Sequence, residues 1–332
     1  MAEALVERGI GETRAVVLDG GALVEAHVDR DDGRWRAGDV RRVRLRTILV
    51  PGVRGIVEAG GVEALLTPLP RALTEGAALY IEVVREALPE AGRPRLAKVV
   101  ATDATPSSGP TLVERLAARG LAMRDAARTG DPLEDAGWSE TCEAALSGHV
   151  SFAGGLLTIS PTPAMTVIDV DGDLPPAALA LAAADAVAAA IRRFDLTGSI
   201  GVDFPTVADR AVRTVIGARL DTALPPPFER TAVNGFGFVQ IVRPRARASL
   251  LETLRADPAA TVALALLRRA ERDGHGAADL VAPPRVADWL RVRPELLSEL
   301  GRRRGGAIGL RSDPALAMSA AYVAAPAPLR PL

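Results

Sequence analysis

Alternation of apolar and polar residues dominates the first hundred positions. In TRAVVLDGGALVEAHVD (Thr13 to Asp29) two alternating runs flank Asp19-Gly20-Gly21, which predicts a β-hairpin. GDVRRVRLRTILVPGVRGIVEAGGVEALLTPLP, EGAALYIEVVREAL and RPRLAKVVAT add four or five short β-runs punctuated by Gly and Pro. With no long helix among them, they predict a small antiparallel barrel. The pattern weakens from Asp103 to Gly155, where TPSSGP reads as a linker and LVERLAARGLAMRDAA as an amphipathic helix.

From Leu156 the period changes. GLLTI and AMTVIDV read as strands, and LPPAALALAAADAVAAAIRRFDL as a helix. Leu179, Ala183, Val187, Ile191 and Phe194 mark one face of that helix at 3.6-type spacing. Asp173 stands where an N-cap belongs. GSIGVDF, VADRAVRTVIGARLDTAL and FGFVQIV continue as strand, helix and strand. This β-α-β-α-β succession predicts an α/β fold with a mixed, largely parallel sheet flanked by helices. The remainder is mostly helical, closed by AIGLRSD and MSAAYVA as edge strands. The chain divides into 1–34, 35–102, 103–155, 156–250 and 251–332.

Composition narrows the function. Hydrophobic residues make up 48% of the 332, enough for a core, yet only 3% are aromatic, so Ala, Val and Leu must build it. The net charge of −1 means that any polyanion site is a local patch. All 40 Lys and Arg residues except Lys98 are arginine, a bias that names no site by itself. The one cysteine, Cys142, excludes an intramolecular disulfide and a thiolate zinc cluster, and fits a cytoplasmic compartment. MAEALVERGIGET carries no basic segment followed by an apolar run, so no signal peptide is expected. AALALAAADAVAAAI, broken by Asp185, is too short and too weakly apolar to span a bilayer.

Chemistry concentrates in AMTVIDVDGDLPP. Asp169 and Asp171 lie two apart at the end of a strand, so they share a face. Asp203 holds the equivalent place on the next strand, in GVDF. One such Asp is commonly a loop-edge or capping residue. The repeat on successive strands calls for a cation, because converging carboxylates repel. Mg²⁺ suits the set, since it takes one or two carboxylates, waters and substrate phosphate, and it points to phosphodiester or phosphoryl chemistry. DVDGDL also resembles the first motif of haloacid-dehalogenase-type phosphatases, but that family needs a later lysine and none follows Lys98. An EF-hand Ca²⁺ loop fails because Ala180 stands where its bidentate Glu is required.

The order GGLLTISPTPAMTVIDVDG, GSIGVDF, NGFGFVQIVRPR resembles the catalytic region of the ribonuclease E/G family. The resemblance implies that Asp169 and Asp203 hold Mg²⁺, and that Asp171 takes the place of an Asn that orients the attacking water. Upstream, GDVRRVRLRTILVPGVRGIVEAGGVEALLTPLP resembles the family's OB-fold RNA-binding domain, inserted after an N-terminal hairpin that is part of an RNase H-like unit. PPRVADWLRVRPELLSELGRRRGGAIGLRSDPAL resembles its segment after the catalytic sheet. Three departures stand out. Asp171 adds a negative charge where the family has Asn. Gly235 replaces an arginine before Phe-Gly. Ile56 and Leu66 replace base-stacking phenylalanines, leaving Tyr80 as the aromatic of the OB segment. The 5′-end-sensing region is largely deleted and the zinc-linking cysteine pair is absent, so neither 5′ sensing nor a zinc-linked oligomer is expected.

Other basic residues have two readings each. Arg93, Arg95 and Lys98 form an alternating face that tracks phosphates or is simply solvated. Arg243 and Arg245 follow the third core strand, which places them near the aspartates as phosphate contacts or as ordinary loop residues. Arg302, Arg303 and Arg304 before Gly305-Gly306 suit a helix C-terminus. His27, His149 and His275 lack metal spacing. The expectation is a Mg²⁺-dependent endoribonuclease acting on single-stranded RNA, with no membrane partner. The alternatives are a non-catalytic RNA-binding accessory protein of the same fold and a phosphomonoesterase.

Overall fold

The structure, a computed structural model, describes residues 2–89, 95–126 and 130–326. The chain opens with β1 (Glu3–Arg8), β2 (Glu12–Asp19) and β3 (Ala22–Arg30), an antiparallel meander. The predicted hairpin is β2–β3, turning at Gly20-Gly21, both in the left-handed region that glycine tolerates. The barrel follows: β4 (Val40–Val50), β5 (Arg54–Ala59), β6 (Val62–Leu66), β7 (Ala78–Arg85) and β8 (Ala97–Ala101), closed in the order β4-β5-β6-β8-β7. Its pairs are antiparallel except β6/β8, which is parallel, so the barrel is mixed rather than purely antiparallel. This is an OB-fold-like barrel. Alternation along its strands turns Val43, Leu45, Val57, Leu66, Ile81 and Val99 inward to a core that also takes Trp35.

After the barrel come α1 (Leu112–Ala118), β9 (Ala122–Asp125), α2 (Pro132–Asp135) and α3 (Trp138–Ser147). β9 lies parallel to β1, so the chain returns to the sheet it left and the barrel is an excursion from it. This sheet is covered on both faces. Ala15 and Val17 of β2 meet Leu112 and Leu116 of α1, while Val16 and Leu18 turn to the main core.

The second layer is β10 (His149–Phe152), β11 (Gly155–Pro161), β12 (Thr166–Gly172), α4 (Pro176–Arg193), β13 (Gly198–Asp203), α5 (Arg210–Ala223), β14 (Glu229–Arg230) and β15 (Phe238–Arg243). The sheet order is β10-β11-β12-β13-β15-β14. The mixed α/β layer is as expected, but it is not largely parallel. β12/β13 is the parallel pair, and β15 runs antiparallel to β13. The short β14 takes the direction a third parallel strand would have had, and a turn through Asn234-Gly235 reverses the chain into β15. Asn-Gly is a strong turn signal, and in NGFGF it marks this reversal. α4 is sandwiched between this sheet and the N-terminal one. Leu179, Ala183, Val187, Ile191 and Phe194 are all buried, as their spacing predicts, and Ala180, Ala184 and Ala188 are buried too. Its small side chains let two sheets approach one helix. Asp173 does not cap it: the cap position is Pro175, with no side-chain hydrogen bond.

The C-terminal part holds α6 (Leu250–Ala256), α7 (Pro258–Arg272), β16 (Ala278–Ala282), α8 (Pro284–Arg291), α9 (Pro294–Arg304), β17 (Ile308–Ser312) and β18 (Tyr322–Ala324). β17 and β18 are edge strands as expected, and they flank the fully buried β16, which the helical reading omitted. α7 docks on the first sheet, where Arg268 pairs with Glu12 and Arg272 with Glu7. α9 ends at Gly305 in the left-handed conformation, with Arg302 to Arg304 in its last turn. No helix among the described residues is long and apolar enough to cross a membrane.

Candidate active site

β12 and β13 are buried on one face only. Ile168, Val170, Ile200 and Val202 point into the core beneath α4 and α5, and the period of two turns Asp169, Asp171 and Asp203 to the open face. Parallel pairing sets Asp169 directly opposite Asp203. The carboxylates therefore avoid the full desolvation cost of a strand buried on both faces, but not one another. The Asp169 carboxyl is pushed above its usual value, first by partial burial and then by the charges of Asp171 and Asp203. A hydrogen bond from the Val170 N–H opposes this shift.

Small and polar residues surround them. Thr158 faces Asp169 across β11, and Phe238 is the register partner of Asp203 on β15. Gly201 lies on the same open face, and its missing side chain leaves space for Phe238 and Met165. A Cβ there would stand 2.8 Å from the Phe238 ring and 2.9 Å from the Met165 sulfur. Gln240 Nε2 donates to Ser199 Oγ at 2.8 Å. The turn into β15 is built on Asn234, whose Oδ1 accepts the N–H groups of Phe236 (2.9 Å) and Phe238 (3.0 Å). A cavity of about 710 Å³ lies elsewhere, lined by Arg14, Arg30, Trp138, Cys142 and Arg269. Its Arg14 is closed on Glu7 and Asp131.

Antiparallel pairing of β15 relocates two predicted residues. Arg243 is opposite Gly198, at the far end of β13 from Asp203, about 17 Å along the strand. Its guanidinium donates to the Leu196 carbonyl at 2.7 Å. Arg245 pairs with Glu252 and packs over Gly198. The expectation that both lie beside the aspartates is overturned, because it assumed a parallel third strand.

The barrel residues are placed differently. Arg95 donates to the Pro163 carbonyl at 3.2 Å, on the turn that leads into β12, so the barrel reaches the sheet that carries the aspartates. Lys98 is exposed on β8. Arg93 lies outside the described residues. Arg42, Arg44 and Arg46 line the exposed side of β4, with Tyr80 opposite Arg42 in register. Their alternation is legible in RRVRLRT; Arg44 donates to the Gly76 carbonyl at 3.0 Å and Arg46 pairs with Glu63. Leu66 is fully buried in the barrel core, so it presents no stacking surface, and Ile56 is half-buried. Gly235 has open space where a side chain would begin.

Among the described residues no group of three or more His, Cys, Asp or Glu side chains is placed to cage a metal by itself. Asp169 and Asp203 in register, repelling each other on a solvated face, match the donor set of a Mg²⁺ that keeps most of its waters. The residues present fit such an ion. Residues 112–246, which run from α1 to just beyond β15, match the Ribonuclease E/G family. A search of the curated proteins matches none.

Proposed function

Residues 112–246 make this chain a member of the ribonuclease E/G family, and on that premise we propose that it is a Mg²⁺-dependent endoribonuclease that cuts single-stranded RNA. The observation that carries the reading is the register pairing of Asp169 with Asp203 on an open sheet face. These two carboxylates would hold the ion. The chemistry such an ion supplies when bound is polarisation of a phosphoryl oxygen and acidification of water. Asp171, two residues from Asp169 on the same face, orients the attacking water and accepts its proton. The water oxygen bonds to phosphorus, one P–O ester bond breaks, and the departing ribose oxygen takes up a proton. Exposed Arg42 and Arg44 on the barrel, with Lys98, position the strand through its phosphates, which carries no sequence preference. The reading places the protein in the cytoplasm, where its single thiol stays reduced.

Cleavage of a single-stranded oligoribonucleotide by purified protein tests this. Cleavage with Mg²⁺ that stops with EDTA, and falls at least about 100-fold in Asp169→Asn and Asp203→Asn, is the expected result. Calorimetric Mn²⁺ binding should weaken in the same variants. Cleavage that survives EDTA and both substitutions sinks the mechanism. A second reading, an RNA-binding accessory protein without catalysis, is favoured by Gly235 and by the buried Leu66. RNA binding without measurable metal binding would select it.

A further inference from the structure

Phe236 is 81% exposed, whereas every other phenylalanine is buried or half-buried. Exposure of so large an apolar ring is unfavourable, and here it is not the result of a loose loop. The backbone around it is fastened at five points. Asn234 Oδ1 accepts from the N–H groups of Phe236 and Phe238, and Gly237 N–H donates to the Asn234 carbonyl at 3.2 Å. Phe204 N–H, one residue after Asp203, donates to the Gly237 carbonyl at 3.2 Å. Thr206 Oγ1 donates to the Phe236 carbonyl at 3.3 Å. Gly237 has φ +95°, and a Cβ there would stand 2.1 Å from the Phe204 carbonyl oxygen, so only glycine lets the turn lie this close. The ring is thus held out to solvent by a turn tied to the strand end that carries Asp203.

We infer that Phe236 is a stacking platform for one nucleobase of the RNA strand whose phosphate lies at the Asp169–Asp203 pair. The inference rests on the ribonuclease reading of that pair and adds the residue that seats the strand there. A nucleobase fits better than a protein partner. Phe236 is the one exposed large apolar side chain between residues 228 and 241, and its neighbours Asn234, Thr206 and Asp203 are polar. A lone ring offers one flat face, not an interface core. Need for it is also evident. In the barrel, Trp35 and Leu66 are buried, so Tyr80 is the exposed aromatic among the described residues there. Phe236 adds, at the carboxylate face, a stacking surface beyond the one that Tyr80 offers on the barrel.

Stacking tolerates any base but requires one. The test compares wild type, Phe236→Ala and Phe236→Trp on a fluorescent oligoribonucleotide and on a matched set carrying one abasic nucleotide at successive positions. Phe236→Ala should weaken binding and raise KM about 5- to 150-fold with kcat nearly unchanged. Phe236→Trp should restore both, and its emission should be quenched by the strand beyond any wild-type change. One abasic position should cost the wild type the same factor and cost Phe236→Ala nothing more. Melting of all three proteins should coincide, since the ring is exposed. Equal affinity of wild type and Phe236→Ala overturns the inference, as does an equal loss on every abasic strand. If the protein binds RNA without cleaving it and Phe236→Ala still binds less, the stack stands and the nuclease reading falls. If it cleaves and Phe236→Ala is unchanged, the stack alone falls. If wild type binds no RNA, both fall.

Discussion

Glu25→Gln is the most informative stability perturbation, because Glu25 joins three parts of the chain. It lies on β3 with its side chain 5% exposed. Both oxygens accept from Arg119, the C-cap of α1, at 2.7 Å. Arg192, in the last turn of α4, donates at 3.0 Å, and His27 Nε2 lies 3.1 Å away. Burial pushes the Glu25 carboxyl up, but hydrogen bonds and charge from His27 and Arg119 outweigh it and hold the group far below the usual carboxylate range. Removing one member of a fully buried ion pair costs about 3–5 kcal/mol. Arg119 and Arg192 are 44% and 30% exposed and regain water, so about 2–3 kcal/mol is expected here. Across a chain of 332 residues this lowers the melting temperature by about 3–4 °C. Urea unfolding followed by tryptophan emission reads it directly, since Trp138 lies in the core cluster this contact closes over. The sign with pH is fixed by the depressed folded value. The stabilisation is fully present above about pH 5. It declines below the unfolded carboxylate value of about 4.3, and it vanishes only below the folded value. The gap between wild type and variant should therefore narrow below pH 4 relative to its value at pH 5. A gap under about 0.5 kcal/mol at pH 7 would refute the reasoning.

Four further outcomes can be checked. Gly235→Arg has open space at its Cβ and should tighten RNA binding by about tenfold or more, through a charge-assisted phosphate contact that weakens with salt. Gly237→Ala must clear the Phe204 carbonyl and adopt a positive φ. It should destabilise by about 2–4 kcal/mol and impair RNA binding as the turn shifts. Arg245→Ala loses its Glu252 partner and should lower thermal stability while leaving KM for RNA unchanged, because it lies at the opposite end of the sheet from Asp203. Burial pushes the Cys142 thiol up to about 12, so the native protein at pH 8 should react with no thiol reagent until denatured, when one thiol titrates.

Strand periodicity made the site legible. Side-chain direction in a strand depends only on residue parity, so the sharing of a face by Asp169, Asp171 and Asp203 followed from spacing once β12 and β13 were recognised. The broad face of α4 and the hairpin β2–β3 were legible for the same reason, since local period and turn residues fix them. β16 was not. Five residues with an Asp among them carry little pattern, and Asp279 fits because Gly309, opposite it on β17, has no side chain and Arg311 pairs with it.

Sequence by itself determined where β2, β3, β12 and β13 lie, which faces they bury and which carboxylates point outward, because these depend on neighbours a few residues apart. Tertiary structure decided strand direction, and with it the company the carboxylates keep. The link from β13 to β15 is long enough to enter the sheet from either end. The β14 hairpin settles the entry by turning at Asn234-Gly235. That reversal carries Arg243 and Arg245 away from the carboxylates and brings Phe236 to them. The exposure of Phe236 and the burial of Leu66 likewise belong to the packed chain, since nothing local to either residue distinguishes a core ring from a presented one.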